Sequence, residues 1–186
     1  MSTWTLDPAH SQIEFAVKHM MVTTVRGQFR KFTVEVDFDE AHPERSSVTA
    51  NIDASSVDTG MEARDTHLRS ADFFDAETYP ELSFRSTGIQ ASGDGYKIDG
   101  DLTIRGETRP VSLDAEIGGV VPNLQGGRRA AFDATTKISR KAFGLTWNVA
   151  LESGGLLVGD EIKISIDLAV LQAEAAAAPV GAASAS

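Results

Sequence analysis

The sequence predicts an all-β fold: eight antiparallel strands that close as a barrel or fold into a two-sheet sandwich, with one short helix. Three observations predict it. Apolar residues recur at every second position through eight separate stretches, the period of a strand with one buried and one wet face. Glycine-rich turns punctuate those stretches. No run of amphipathic helices is available to cover a sheet's dry face, so the sheet must cover itself.

In chain order, Ile13, Phe15 and Val17 share one face against Gln12, Glu14 and Lys18. A helical turn over residues 20–25 is weakly signalled. Phe32, Val34, Val36 and Phe38 form the second strand, and Phe29 differs from Phe32 in parity, so the chain must bulge or bend near Arg30-Lys31. Val48, Ala50, Ile52 and Ala54 follow. Thr59 and Glu62 then stand at capping-box spacing, which predicts a helix to about Ser70 with Met61 and Leu68 on one face and Asp65 between them. Leu82 and Phe84 open the next strand after Tyr79-Pro80. The clearest alternation is Tyr96, Ile98, Gly100, Leu102 and Ile104, set between hairpin turns at Gly93-Asp94-Gly95 and Arg105-Gly106-Glu107. Val111 to Ile117, Phe132 to Ile138 and Ile162 to Val170 complete the eight, with a longer turn containing Pro122 bracketed by Gly118-Gly119 and Gly126-Gly127.

Composition narrows the function. Asp plus Glu is 27 against 17 Lys plus Arg, a net charge of −10, which argues against nucleic acid or an anionic membrane as the main partner. The chain of 186 residues holds no cysteine, so disulfides, thiolate metal sites and Cys nucleophiles are excluded. No apolar stretch reaches the roughly 18 residues a membrane-spanning helix needs, so stable membrane insertion is not expected. The N-terminus has neither a basic n-region nor an apolar h-region, so the expectation is a cytoplasmic protein, with an exported mature form left open. Residues 1–171 read as one domain and the Ala-rich residues 172–186 as a disordered tail.

Small residues among the inward positions (Ala50, Ala54, Gly100, Ala115, Ala134 and Thr136) leave volume that neighbouring Phe and Ile side chains need not fill. The alternatives are a hollow interior that takes an apolar ligand and a tightly interdigitated core. At roughly 0.8 kcal/mol per CH₂, a chain of about 20 carbons would gain over ~10 kcal/mol before entropic costs.

Candidate chemistry is sparse. His10, His19, His42 and His67 form no His-x-His or His-Glu-x-x-His pattern, so no metal or other cofactor is expected. An enzyme using His10, Asp65 and His67 as acid and base is one rival reading, although no Gly-x-Ser-x-Gly elbow is present to supply a nucleophile. His10-Ser11 reads equally as a hydrogen-bond cluster at the start of a strand. Arg64, Asp65, His67 and Arg69 form a dense polar group that either satisfies itself or receives the head group of an apolar ligand. Met20-Met21, beside Val22 and Val25, suits either core filling or a flexible apolar lip. A filled barrel serving as a protein-interaction module, homodimeric through an exposed edge, is the other rival.

Many of these residues together resemble a known family. Trp4-Thr5-Leu6-Asp7, His10-Ser11, His19, Gly27-Gln28-Phe29, Arg64-Asp65-Thr66-His67-Leu68, Ser70-Ala71-Asp72-Phe73-Phe74-Asp75, Tyr79-Pro80 and Phe84 stand in order. Gly100-Asp101-Leu102-Thr103-Ile104, Gly106, Thr108, Pro110-Val111, Arg140, Phe143-Gly144 and Val158-Gly159-Asp160 follow. The pattern from Trp4 to about Leu171 resembles the YceI-like proteins, which are described as polyisoprenoid- or lipid-binding. The resemblance implies an eight-stranded antiparallel lipocalin-like barrel with a helix over one end. It also implies a non-enzymatic carrier or store for an isoprenoid, isoprenoid quinone or fatty-acyl lipid held in an apolar tunnel. Parity then makes Phe15, Val17, Phe32, Phe84, Leu102, Phe132 and Ile164 the expected tunnel wall. Met20, Phe74, Phe143, Leu145 and Trp147 are the expected end-loop contacts, with Arg64, His67 and Arg69 at the head group.

Overall fold

Alternation at period two builds long strands here, and the chain breaks three of them where it must turn a corner. The computed structural model describes residues 2–172. Its strands are β1 (Ser2–Leu6), β2 (Gln12–His19), β3 (Thr23–Phe29), β4 (Phe32–Phe38), β5 (Ser47–Asp53) and β6 (Val57–Asp58). After the helix α1 (Glu62–Arg69) come β7 (Glu81–Ser92), β8 (Gly95–Ile104), β9 (Glu107–Pro122), β10 (Arg128–Ser139) and β11 (Val158–Gln172). All pairings are antiparallel, and β1 pairs with both β4 and β11, so β1-β4-β5-β7-β8-β9-β10-β11 closes as an eight-stranded barrel. Closure removes the sheet edges that an open sandwich would leave.

β2 continues the place of β1 beside β11, and β3 and β6 extend the places of β4 and β5. Each break has a local cause. Pro8 starts a 3₁₀ turn between β1 and β2, capped by the Asp7 carboxylate accepting from the Ala9 N–H at 3.2 Å. Ser11 Oγ then donates to Asp7 O (2.8 Å) and accepts from Ala169 N–H (3.0 Å), pinning the corner to β11. The parity change between Phe29 and Phe32 is a real interruption at Arg30-Lys31. Asp53 turns the chain at the third break by accepting from Ser55 N–H (2.9 Å).

Several expectations need correction. β1 and β3 were not foreseen as strands, and residues 23–25 are extended where a helical turn was weakly signalled. Gly118-Gly119 makes a bulge inside β9, not a turn: the β9–β10 register slips between Ala131 and Phe132, and Gly119 takes φ +100°. The turn itself is residues 123–127. β11 runs through Gln172, a residue expected in the tail, whose Oε1 accepts from Arg128 Nε (3.0 Å). Residues 173–186 lie outside the described residues. The helix ends as expected at Ser70, but Met61 is its N-cap and has no side-chain cap bond. Gly60 at φ +79° displaces Thr59 outward, and Thr59 instead donates both N–H (2.8 Å) and Oγ1 (2.5 Å) to Asp65.

The barrel has two unlike ends. At the helix end lie α1, residues 70–80, the β2–β3 tip and residues 140–157; at the terminal end, β1 begins and β11 finishes. Its outer face also divides by charge. Cross-strand register lines up Asp167, Asp133 and Glu116 on three strands, and Glu14, paired with Ser165 two residues along β11, adds its charge diagonally from β2. Nearer the helix end, Lys137 faces Lys163, Lys163 faces Ala16, and Ala16 faces Arg26, with Lys18 beyond.

In the acidic row, desolvation first, then the hydrogen bond and charge of Asp133, then the charge of Glu14 push the Asp167 carboxyl above its ordinary range. The folded state therefore holds this proton longer than the unfolded chain. Its stability contribution is full below the ordinary aspartate value of about 3.9 and lost as pH rises through the raised native value. Asp167→Asn should raise Tm by about 1–3 °C at neutral pH and lose that advantage below about pH 4. Thermal melts at both pH values test this; an identical difference at both would show that repulsion is not the cause.

Candidate functional site

The inward faces of the barrel enclose a cavity of about 240 Å³ whose surface is hydrocarbon almost throughout. It runs the length of the barrel, from Pro43, Ser46 and Tyr96 at the terminal end to Leu68, Phe73, Phe74, Phe143 and Leu145 at the helix end. Two glycines make room for it. A Cβ on Gly100 would fall 2.3 Å from the Phe84 ring, and one on Gly27 would fall 2.4 Å from the Phe15 ring. Each ring thus occupies the space over a glycine on the next strand that a side chain would otherwise fill. Inward Ala115 and Ala134, paired across β9 and β10, leave further width.

Of the residues expected on the tunnel wall and its ends, Phe15, Val17, Phe74, Phe84, Leu102, Phe132, Phe143, Leu145 and Ile164 border the cavity. Three do not. Phe32 packs against both halves of the core without bordering the cavity. Met20 sits in the β2–β3 turn at φ +51° and is half exposed, projecting away from the interior. Trp147 is held edge-on against His67 (4.6 Å between ring centres) and tilted on Phe73 (5.4 Å), outside the wall.

Sequence reasoning missed Phe29 and Phe73, which also border the cavity; Phe29 links a chain of rings, Phe15 to Phe29 at 5.7 Å and Phe29 to Phe74 at 5.6 Å. The parity of β3 would have found Phe29 had that strand been recognised.

The polar group of α1 is largely self-satisfied. Arg64 Nε donates to Thr59 Oγ1 (2.7 Å) and Nη2 to Thr59 O (2.9 Å). Asp65, 4% exposed, is spent on Thr59. His67 Nε2 meets Asp72 Oδ2 at 2.9 Å. Arg69 gives two N–H groups to Glu62 (3.2 and 3.3 Å), while its buried Nε has no hydrogen-bond partner. His10 pairs instead with Asp7 (2.9 Å), so the structure does not bring it to Asp65 and His67. Among the described residues no group of three His, Asp or Glu side chains is placed to hold a metal ion.

Arg140, also unforeseen as a site residue, closes the helix end. It is 4% exposed and donates to four carbonyls: Gly159 (2.7 Å), Leu145 (2.7 Å), Trp147 (3.0 Å) and Val158 (3.1 Å). Burial holds its guanidinium below the ordinary arginine range, opposed by the charge of Asp160. Desolvation would raise Asp160, but the Ser139 hydroxyl, the Lys141 N–H and the charges of Lys141 and Arg140 outweigh it and lower the carboxyl. Arg140 thereby fastens Leu145, and with it the 140–157 loop, against the base of the cavity.

Comparison with known proteins places this geometry in a context. A family model described as a YceI-like domain matches residues 4–170. A UPF0312 protein of Staphylococcus aureus (strain USA300) is 38% identical over 164 residues, covering 88% of this chain and 94% of its own. The crystal structure of Burkholderia cenocepacia BcnA aligns at a TM-score of 0.73 with 31% identity, over 88% of this chain and 98% of its own. A Campylobacter jejuni YCEI protein aligns at 0.72 with 32% identity, over 84% and 90%. A polyisoprenoid binding domain from Saccharophagus degradans shares the fold at 0.62, with 14% identity over 92% and 99%.

Proposed function

The chain belongs to the YceI-like domain family, and from that membership and its hydrocarbon-walled interior we propose that it binds a long apolar lipid inside the barrel. The cavity carries the reading. An apolar wall without polar interruption disfavours any buried polar group on the ligand, because such a group would lose its hydrogen bonds to water. The ligand is therefore a hydrocarbon chain, isoprenoid or fatty-acyl, with its polar end outside the wall. At about 240 Å³ the lumen lies just under the ~300–1,000 Å³ of typical ligand sites and is drawn out along the axis, which suits one extended chain better than a compact ring system. The name of the Saccharophagus degradans neighbour, a polyisoprenoid binding domain, agrees with this class.

Phe15, Val17, Phe29, Phe74, Phe84, Leu102, Phe132 and Ile164 would contact the chain through dispersion and burial alone. Of the three basic residues expected at the head group, Arg69 is the one with spare capacity, since its Nε has no partner and Leu68 beside it borders the cavity. The protein acts as a carrier or store, a role supported by a cavity surface that is hydrocarbon almost throughout.

Mass spectrometry of an organic extract from gently purified protein tests the reading. One isoprenoid or acyl species at about one per chain is the expected result. An empty extract, followed by failure of delipidated protein to take up added polyprenyl lipid, would overturn it.

A further inference from the structure

We propose that the helix end docks on an anionic lipid bilayer through the β2–β3 tip and the hairpin of residues 149–157. Large apolar side chains are exposed together there: Met20 (50%), Met21 (65%), Val22 (77%), Val149 (46%) and Leu156 (42%). The two tips are bonded side by side. Met20 N–H donates to Leu157 O at 2.7 Å, and Leu157 N–H to Val149 O at 2.9 Å. The Met21 sulfur lies against Gly155, 2.1 Å from where a Cβ would stand.

The backbone of the tip is strained to present these groups. Met20 and Met21 take φ +51° and +64°, a left-handed pair closed by Val22 N–H donating to His19 O at 3.3 Å. Asn-Gly makes such a turn without penalty; methionine does not. In return the side chains gain only partial cover, Met20 staying 50% exposed and Met21 65% exposed even with its sulfur against Gly155.

Charge identifies the partner. Lys18 and Arg26 stand on the outer face just behind the tip, and Lys163 and Lys137 extend the row over β11 and β10. Glu161 is paired with Lys137 at 3.2 Å, and Glu152 lies on the second hairpin. The net charge of −10 disfavours an anionic surface for the molecule as a whole, but residues 15–34 hold no Asp or Glu, so this tip is locally cationic. An apolar tip on cationic shoulders complements anionic head groups over a hydrocarbon layer. The tip is also continuous with the cavity: Val158 borders the lumen, and Leu157 and Leu156 carry the apolar run to the surface. The docking rests on the carrier reading for its purpose, since this path would pass a chain between bilayer and lumen.

Flotation of the full chain with phosphatidylcholine–phosphatidylglycerol vesicles tests the proposal. Binding is expected to weaken with salt and on phosphatidylcholine alone. Met20→Asn with Met21→Gly relieves the turn, so this variant should melt no lower than the parent while its vesicle affinity falls about tenfold or more. Lys18→Glu with Arg26→Glu should lose binding similarly, whereas Leu124→Ser, at the terminal end, should not. Unchanged flotation of the methionine variant would overturn the proposal, as would equal loss in Leu124→Ser. A parent that fails to float, but forms a dimer the methionine variant dissolves, would replace the bilayer with a second copy of the chain. Protein that carries lipid yet never floats overturns the docking alone; protein that floats with an empty lumen overturns the carrier reading alone.

Discussion

Ala134→Phe should leave the barrel folded and strip it of lipid. Ala134 faces inward on β10 opposite Ala115, on the wall of a cavity of about 240 Å³. A phenyl ring there occupies the room of about four ligand methylenes; at roughly 0.8 kcal/mol each this is about 3 kcal/mol, or about 100-fold in affinity. Stability should hold or rise, because hydrocarbon is added to a hydrocarbon-lined void. The measurement is lipid content of the purified variant beside its melting temperature. Leu102→Glu makes the companion test, placing a carboxylate on the same wall, although desolvation of that charge will also lower stability. Lipid retained at the parent's stoichiometry in a folded Ala134→Phe variant would remove the lumen as the binding site.

The second large effect is on stability. Arg140→Met would take the guanidinium donors from the carbonyls of Leu145, Trp147 and Gly159 in a buried setting and leave Val158 O to the Asn148 amide alone. We expect a loss of about 3–5 kcal/mol, or about 10 °C in Tm. Arg140→Lys should recover only part of it, since one ammonium cannot reach four acceptors spread around a planar fork. A shift under about 2 °C for Arg140→Met would mean that water replaces the guanidinium, and that the 140–157 loop is held by Phe143 and Leu145 alone.

The two cases differ in how far the sequence showed them. Ala134 was legible because parity along β10 is unbroken from Phe132 to Ile138, so its inward direction follows from period two alone. Arg140 was not, because its partners are backbone carbonyls, which leave no mark on the side-chain pattern. The same distinction runs through the fold. β8 and β11 alternate cleanly and were placed from sequence; β3 does not, since Thr23 and Gly27 dilute its apolar face, and its strand character comes from pairing with β2. Thr59 shows a local rule displaced by a tertiary one. Its capping-box spacing to Glu62 is correct, yet the hydroxyl goes to Asp65, which is buried and must be satisfied. Met20 and Trp147 carried apolar character but no periodicity, so nothing in the sequence separated lumen from exterior for them.

The broken strands also decide where the barrel is soft. β5 pairs with β7 only from Thr49 to Asp53, and β6 pairs with β3 alone. Past that point the wall between β6 and β7 is completed by α1 and residues 70–80, secured by side-chain clasps such as Thr59 to Asp65 and Arg105 to Phe73 O (3.1 Å). Detaching this sector breaks no ladder hydrogen bond, whereas parting any two of β7 to β11 breaks many. Amide exchange should accordingly run in two tiers, fast over residues 59–80 through opening well short of global unfolding, and slow across β8 to β11.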